Sequence, residues 1–348
     1  MSNVANLQNE RVTALDQRMA ENYLTGHWQT GGEGEEDLRP WLWRWSVIYS
    51  CLQEAGTVVP LGKVDDPNNR RTVQLRNPGQ SRGVSRTLGM SVQLVNPGET
   101  AECHRHTNAA LRFVIESKGT TTTVEGERIL MEPGDLLLTP NWTWHDHANF
   151  TDGQAIWLDV LDGRLTRLLG ANFHQLYSEG TVQPVTKPDG YSKQRLGSIR
   201  PRVSTMTNQA FPYAYKWADT RQALEELAEA GETNPYDGVL LEYTNPVTGG
   251  PTMPTIGCWI QMLRPGEATR RHRHTGITIS HVVEGEGVTL AGKREMEKME
   301  WGPRDCFFVP SWCWHEHRNT SNTKPAIIFS VTDRPVLEAL CLYREENV

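Results

Sequence analysis

Two stretches of the chain, "HRHTNAALRFVIESKG" from His104 and "HRHTGITISHVVEGEG" from His272, share one frame 168 positions apart. Each opens on a His-x-His pair. Residues i and i+2 of an extended strand point to the same side, so His104 and His106 form one pincer and His272 and His274 another. A third imidazole follows in each copy: His145 in "TPNWTWHDHAN" and His315 in "VPSWCWHEHRN". His145 comes after the turn at Pro140, 39 residues beyond His106, and by the same alternation His147 projects with it. Three neutral imidazoles leave about three positions open on an octahedral metal, which suits iron(II) taking a chelating substrate and dioxygen together. A structural zinc wants a closed set of four ligands, so a purely structural metal is the lesser reading.

The elements that must position these residues are also duplicated. "VQLVNPGETAECHRH" parallels "IQMLRPGEATRRHRH", and "DLLLTPNWTWHDHAN" parallels "DCFFVPSWCWHEHRN" at an offset of 170. An offset that drifts by so little means two homologous units, not a short-period repeat. Within each unit the segments are short, apolar and punctuated by turns. "TTTTVEGERILM" reads as two strands around Glu-Gly, "VTLAGKREME" as two around Ala-Gly, and "PGDLLLTP" as a strand entered through a Pro-Gly turn. This pattern predicts a mainly β chain of antiparallel sandwiches or barrels. Helical periodicity lies outside the units, in "NERVTALDQRMAENYL", in "LWRWSVIYSCLQEAG" and in "DTRQALEELAEAGE", where Asp219 is placed as N-cap and Gly231 at C′. The organisation expected is a partly helical N-terminal arm over 1–74, a first barrel over 75–165, a helical connector over 166–250, and a second barrel with tail over 251–348. The arm is expected to pack on its own barrel or on a neighbouring subunit.

Composition narrows the function classes. The net charge of −7 and the absence of any Lys/Arg block argue against nucleic acid and against a polybasic membrane patch. No run approaches eighteen apolar residues and the start lacks an apolar leader, so a cytoplasmic protein is expected. The six cysteines show no CxxC pairing and read as reduced thiols, with Cys103 a packing residue.

Arg112 interrupts the apolar run "AALRFVI", six residues after His106 and on the same strand parity. A guanidinium there is costly unless it meets an anion. Its planar fork suits a substrate carboxylate, or a structural ion pair for which Asp159 is the obvious partner. In the second unit Ser280 stands at the Arg112 position, His281 at that of Phe113, and Arg304 at that of Gly134. His272, His274 and His315 make a second metal chemically possible, but without the clamp this unit is expected to be non-catalytic, a copy kept for packing and assembly. Most of the tryptophans read as core, and Trp144, next to His145, is the one placed at a pocket rim.

These motifs resemble the cupin superfamily. Its first pattern runs from Gly98 through His104 and His106, and its second from Gly134 through Pro140 and His145 to Asn149. Trp142 replaces the middle glycine of the second pattern, and Ala110 and Leu111 stand where a ligand Glu is usual. More narrowly, "HRHTNAALRFVIE", "TPNWTWHDHAN", "WLDVLD" and "VPSWCWHEHRN…FSVTDRPV" make the chain similar to bicupins of the gentisate 1,2-dioxygenase family, which act on gentisate, salicylate, 5-nitrosalicylate or 1-hydroxy-2-naphthoate. The resemblance implies two antiparallel jelly-roll β-barrels, with Fe(II) in the first held by His104, His106 and His145. It implies Arg112 gripping the substrate carboxylate, and His147, Asp159 and Gln93 lining the pocket. Opening of the C1–C2 bond of an ortho-hydroxy aromatic acid with O2, in a homotetramer, follows from it too. Many gentisate-cleaving relatives carry an aromatic residue and Ala-Gly where this chain reads Gly89-Met90-Ser91, so a roomier pocket and a substituted salicylate such as 5-nitrosalicylate are expected. Gentisate and 1-hydroxy-2-naphthoate are the alternatives. More distant are a decarboxylase or isomerase bicupin, which generally keeps the Glu ligand, and a non-catalytic bicupin.

Overall fold

The architecture follows from strands that are apolar on both faces. In Ala110–Glu116 all residues up to Ile115 are buried, which requires a layer on each side of the sheet. Alternation then sends Leu111, Phe113 and Ile115 to one core and Val114 to another. The computed structural model describes residues 38–59, 61, 71–80, 82–196 and 211–348, and positions 13 and 17 before them. The helix expected from "NERVTALDQRMAENYL" lies outside the described residues.

Each repeat builds a six-stranded and a five-stranded antiparallel sheet. In the first repeat the larger sheet has the order Ala214–Tyr215, Leu136–Thr139, Ala110–Glu116, Ala155–Leu161, Gly89–Val95, Thr72–Gln74. The smaller has His174–Leu176, Thr100–His106, His145–Ala148, Thr121–Val124, Glu127–Leu130. The second repeat reproduces this strand for strand. Its larger sheet is Trp41–Trp43, Cys306–Val309, Thr278–Glu284, Ala326–Thr332, Gly257–Leu263, Val239–Glu242. Its smaller sheet is Glu345–Asn347, His272–His274, Trp314–Asn319, Gly287–Gly292, Glu297–Trp301. Two antiparallel barrels are therefore present, as expected.

The two large sheets share one apolar core. Phe113, Leu158, Val92 and Leu94 of the first repeat meet Phe329, Val331, Ile260 and Ile279 of the second. At the centre Phe113 stacks on Phe329, ring centroids 4.3 Å apart and 17° from parallel. The opposite faces line the barrel interiors, with Val114, Trp157 and Leu137 inside the first and Val282, Phe307 and Ile328 inside the second.

Sequence context exchanges edges between the barrels. The strand Trp41–Trp43 pairs with Cys306–Val309 of the second barrel, whereas Thr72–Gln74, beyond the next helix, pairs with Gly89–Val95 of the first. The connector does the reverse: Ala214–Tyr215 pairs with Leu136–Thr139, and Val239–Glu242 with Gly257–Leu263. Identical latches hold both crossings. Asp305 accepts from the amide of Trp45 and from Arg44, and Asp135 accepts from the amide of Trp217 and from Lys216. The arm thus reaches the other barrel of its own chain, a third option beside the two expected.

Three local expectations need correction. Trp41–Trp43 is a strand and the helix is Trp45–Val58, because these three residues complete a sheet edge. The connector helix is Trp217–Glu229 with Lys216 at its N-cap, so Asp219 lies in the first turn and pairs with Lys193, while Gly231 does stand in the left-handed region just past the helix. In the second repeat Ala291 and Gly292 stay in the strand, and the hairpin turns over residues 293–296. Among the described residues no helix is long and apolar enough to cross a membrane.

Truncation of the central ring, Phe113→Ala, is expected to cost about 3–5 kcal/mol of unfolding free energy in a denaturant titration, since the rigid strand partners around it cannot collapse into the void. His281, at the equivalent position, is buried beside Phe113, and burial, then the nearby Arg304 charge, pushes its pKa down to about 3. The unfolded imidazole titrates near about 6.5, so below that pH the unfolded chain binds one more proton here than the folded one. Stability is therefore lost as pH falls from 6.5 towards 3, by about 1.4 kcal/mol per pH unit for this group. His281→Phe should lessen the acid sensitivity of unfolding by one proton, read from the slope of stability against pH.

Candidate metal centre

A bulge sets the geometry of the first triad. Strand Thr100–His106 pairs Ala101 with His147, and without an irregularity Cys103 would then face His145. One extra residue shifts the register so that His104 faces His145 instead. His106 completes the group, with ring centroids at 4.4 Å (His104–His145), 4.8 Å (His106–His145) and 5.5 Å (His104–His106). Cys103 turns into the packing, and burial, then Asp146, raises its thiol pKa to about 12.

Backbone carbonyls fix the tautomer of each ring. The Nδ1 of His104 lies 2.9 Å from the Glu102 carbonyl, that of His106 2.9 Å from Asn108, and that of His145 2.9 Å from Thr143. A carbonyl only accepts, so Nδ1 carries the proton and the Nε2 lone pair is left for a cation. The ligand atoms of the three rings lie within 4.8 Å of one another. His145 Nε2 is buried with no hydrogen-bond partner, an orphan that a metal ion would satisfy. Burial, followed by the charges of His104, His106 and Arg112, holds the His145 pKa well below the ordinary imidazole value, which keeps it in the neutral, ligating form. The donor set fits a divalent transition metal, and among the described residues no carboxylate joins this triad.

The polar residues of the large sheet form the other half of the site. Arg112 and Asp159 are direct cross-strand partners, and so are Ser91 and Asp159, and Gln93 and Trp157. Arg112 Nε lies 3.0 Å from Asp159 Oδ1, and its Nη1 donates to Thr139 Oγ1 at 2.5 Å. Burial lowers the Arg112 pKa against the pull of Asp159, yet a guanidinium stays charged. Gln93 Nε2 and Trp157 Nε1 are buried without a hydrogen-bond partner in the same layer. His147, fully buried, lies between His145 (6.0 Å) and Trp157 (5.2 Å).

Not every candidate joins the group. Met90 alternates with Ser91 and belongs to the core between the barrels, so it does not shape this pocket. Trp144 is held by Arg105 at 4.5 Å and by Tyr177 at 5.1 Å. Arg105 alternates with His104 and His106, so Trp144 packs on the outer side of the sheet, away from the triad. Gly89 shares the face of Ser91 and Gln93, and a Cβ there would meet only the Leu161 carbonyl, at 3.9 Å. Thr139 and Trp157 were missed in the sequence. Thr139 ends an apolar strand and gave no signal, whereas Trp157 shares the parity of Asp159 and could have been found from it.

The second triad repeats the first, with ring centroids at 4.1, 5.0 and 5.9 Å. Its large-sheet layer does not: Ser280 and Ser330 replace Arg112 and Asp159 and hydrogen-bond each other at 2.9 Å.

Known proteins share this arrangement. The Cupin domain family matches residues 91–161 and 259–332. A 5-aminosalicylate 1,2-dioxygenase of a Comamonas species is 40% identical over 346 residues, covering 96% of this chain and 90% of that protein. Gentisate 1,2 dioxygenase 1 of Aquipseudomonas alcaligenes is 37% identical over 320 residues, covering 90% and 88%. The crystal structure of salicylate 1,2-dioxygenase from Pseudaminobacter salicylatoxidans superposes with a TM-score of 0.85 at 31% identity, covering 96% of each chain. Likeness that runs the length of both repeats, in sequence and in fold, places the chain in the gentisate 1,2-dioxygenase family of bicupins, as a ring-cleaving dioxygenase.

Proposed function

We propose that the first barrel is an Fe(II)-dependent site that opens the C1–C2 bond of a salicylate carrying a substituent at carbon 5. The observation that carries this reading is the contrast between the layers facing the two triads: Arg112, Asp159, Thr139 and Gln93 in the first repeat, a pair of serines in the second. His104, His106 and His145 would hold the metal, whose bound Fe(II) supplies the redox chemistry between an electron-rich ring and O2.

The chain's own groups have separable tasks. Arg112 binds the substrate carboxylate, since Asp159 and Thr139 each take one donor of a five-donor fork. With no carboxylate ligand in the triad, the negative charge that balances the cation comes from the carboxylate and phenolate of the substrate itself. Gln93 offers an amide donor to a ring oxygen, and His147 holds or passes the proton released from the phenol. Trp157 and Val114 exclude water behind them. The absence of the Glu ligand counts against a decarboxylase or isomerase site.

Room beside Gly89 supports a ring larger than plain salicylate. The 5-nitrosalicylate preferred on sequence stands within this class, next to 5-aminosalicylate and to gentisate, which bears a 5-hydroxyl. The same reading keeps the domain limits 75–165 for the catalytic barrel and 251–348 for its partner, with a homotetramer in the cytoplasm. Leu168, Leu169 and Phe173, exposed near the first triad, support association, and six unpaired cysteines suit a reducing compartment.

Oxygen uptake by iron-reconstituted protein is expected with a 5-substituted salicylate, and should vanish in His104→Ala. No uptake with 5-aminosalicylate, 5-nitrosalicylate, gentisate, salicylate or 1-hydroxy-2-naphthoate at full iron loading would refute the proposal. Arg112→Lys keeps the charge and loses the fork, and should lower kcat/KM about 10- to 100-fold, as expected for loss of a charge-assisted bond worth about 1.5–3 kcal/mol. Gly89→Leu should depress kcat/KM for 5-substituted acids more than for salicylate, and equal effects would place Gly89 outside the substrate's reach.

A further inference from the structure

We infer that the second barrel holds a divalent cation of its own, in a closed site made by His272, His274, His315 and Asp237, with a structural and not a catalytic role. The imidazole half is built with the same devices as the first triad. Ala268 bridges to Arg318 and His272 pairs with His315, so the same one-residue bulge aims His272 across the strand pair. The Nδ1 of His274 lies 2.8 Å from the Gly276 carbonyl and that of His315 3.0 Å from the Cys313 carbonyl, which leaves Nε2 of each free to ligate. The ligand atoms of the three rings lie within 4.8 Å of one another.

The fourth group distinguishes this site from the first. Asp237 Oδ1 stands 3.8 Å from His272 Nε2. That is too long for a hydrogen bond and is a spacing two ligands of one cation can take. Asp237 is positioned through its backbone, since its carbonyl accepts from Gln261 Nε2 at 2.6 Å and its amide donates to Asn234. Gln261 is the counterpart of Gln93, so the amide that faces the first site is committed here to placing the carboxylate. Three imidazoles and one carboxylate form the closed set that zinc favours.

Aromatic rings cover the group. Tyr343 stacks on His274 with centroids 6.3 Å apart, and Tyr236 stands edge-on to His272 at 5.7 Å. Tyr343 is anchored by the Arg334 guanidinium at 4.5 Å and by its hydroxyl's bond to Glu345 at 3.0 Å. The C-terminal strand Glu345–Asn347 runs along His272–His274. Divergence between the repeats is thus selective: the groups that would meet an aromatic acid are gone, while the bulge, the carbonyl contacts and the three imidazoles remain. A cation here ties the connector, through Asp237, to the sheet that carries the C-terminal tail.

The test uses the full chain with the first site disabled, so that its outcome is independent of ring cleavage. His104→Ala protein, loaded with Zn2+ or Co2+ and dialysed, is expected to retain one equivalent of metal by elemental analysis, and His104→Ala/His315→Ala to retain none. Asp237→Asn in the His104→Ala background should weaken Co2+ binding at least about tenfold and reduce the intense visible absorption of four-coordinate Co2+. A His104→Ala chain that folds, by circular dichroism, but keeps no metal would overturn the proposal. So would one whose retained metal is unaffected by His315→Ala. Unchanged Co2+ affinity and absorption in the Asp237→Asn variant would remove the carboxylate from the site and with it the closed structural reading.

Discussion

The shared apolar face between the two large sheets governs the rest of the molecule. Strands such as Ala110–Glu116 and Ala326–Thr332 are buried on both sides, and neither barrel alone offers enough cover for its outer face. Stacking Phe113 on Phe329 satisfies both sheets at once. Because side chains alternate, this packing also dictates what may vary. Residues of one parity are tied to the partner barrel. Those of the other parity, Arg112 and Asp159 in one repeat and Ser280 and Ser330 in the other, are released to take on or lose chemistry without disturbing the junction.

Inside the first barrel the cost of polarity is met by pairing. Arg112 would be prohibitive in so apolar a layer without Asp159, and breaking such a buried pair by removing one partner costs about 3–5 kcal/mol. Neutral imidazoles solve the same problem differently. Each ring sends its one proton to a carbonyl two residues away, so the only unsatisfied atoms point inward to where a cation belongs. The site is therefore prepared by the same hydrogen bonds that make burial of three histidines tolerable.

Much of this was legible because period-two alternation leaves a simple trace. His104, His106 and His145 could be grouped from spacing, Arg112 stood out as a charge in an apolar strand, and its pairing with Asp159 was the alternative reading that the coordinates display. Parity, applied consistently, would also have excluded Met90 and Trp144. The bulge was invisible, since nothing local marks one extra residue in "TAECHRH". The exchange of edge strands was hidden as well. Trp41–Trp43 continues the apolar run of the helix that follows, and only the far-off latch at Asp305 decides that it is a strand. Asp237 was missed for the same reason, because a residue of the connector meets His272 only through the fold.

The exchanged edges explain why a barrel without a substrate clamp persists beside one that has it. Ala214–Tyr215, which extends the sheet of Arg112 and Asp159, leads directly into the helix that packs on the second barrel, and the second barrel's edge is supplied from residues 41–43. Removal of either barrel would strip an edge strand's continuation from the other and expose the Phe113 face to water. The second repeat is then a structural requirement of the first, whatever chemistry it has lost. Its own metal triad can be maintained only by packing and coordination, and not by turnover, which is why a carboxylate and a tyrosine stand where the first site leaves room for a substrate.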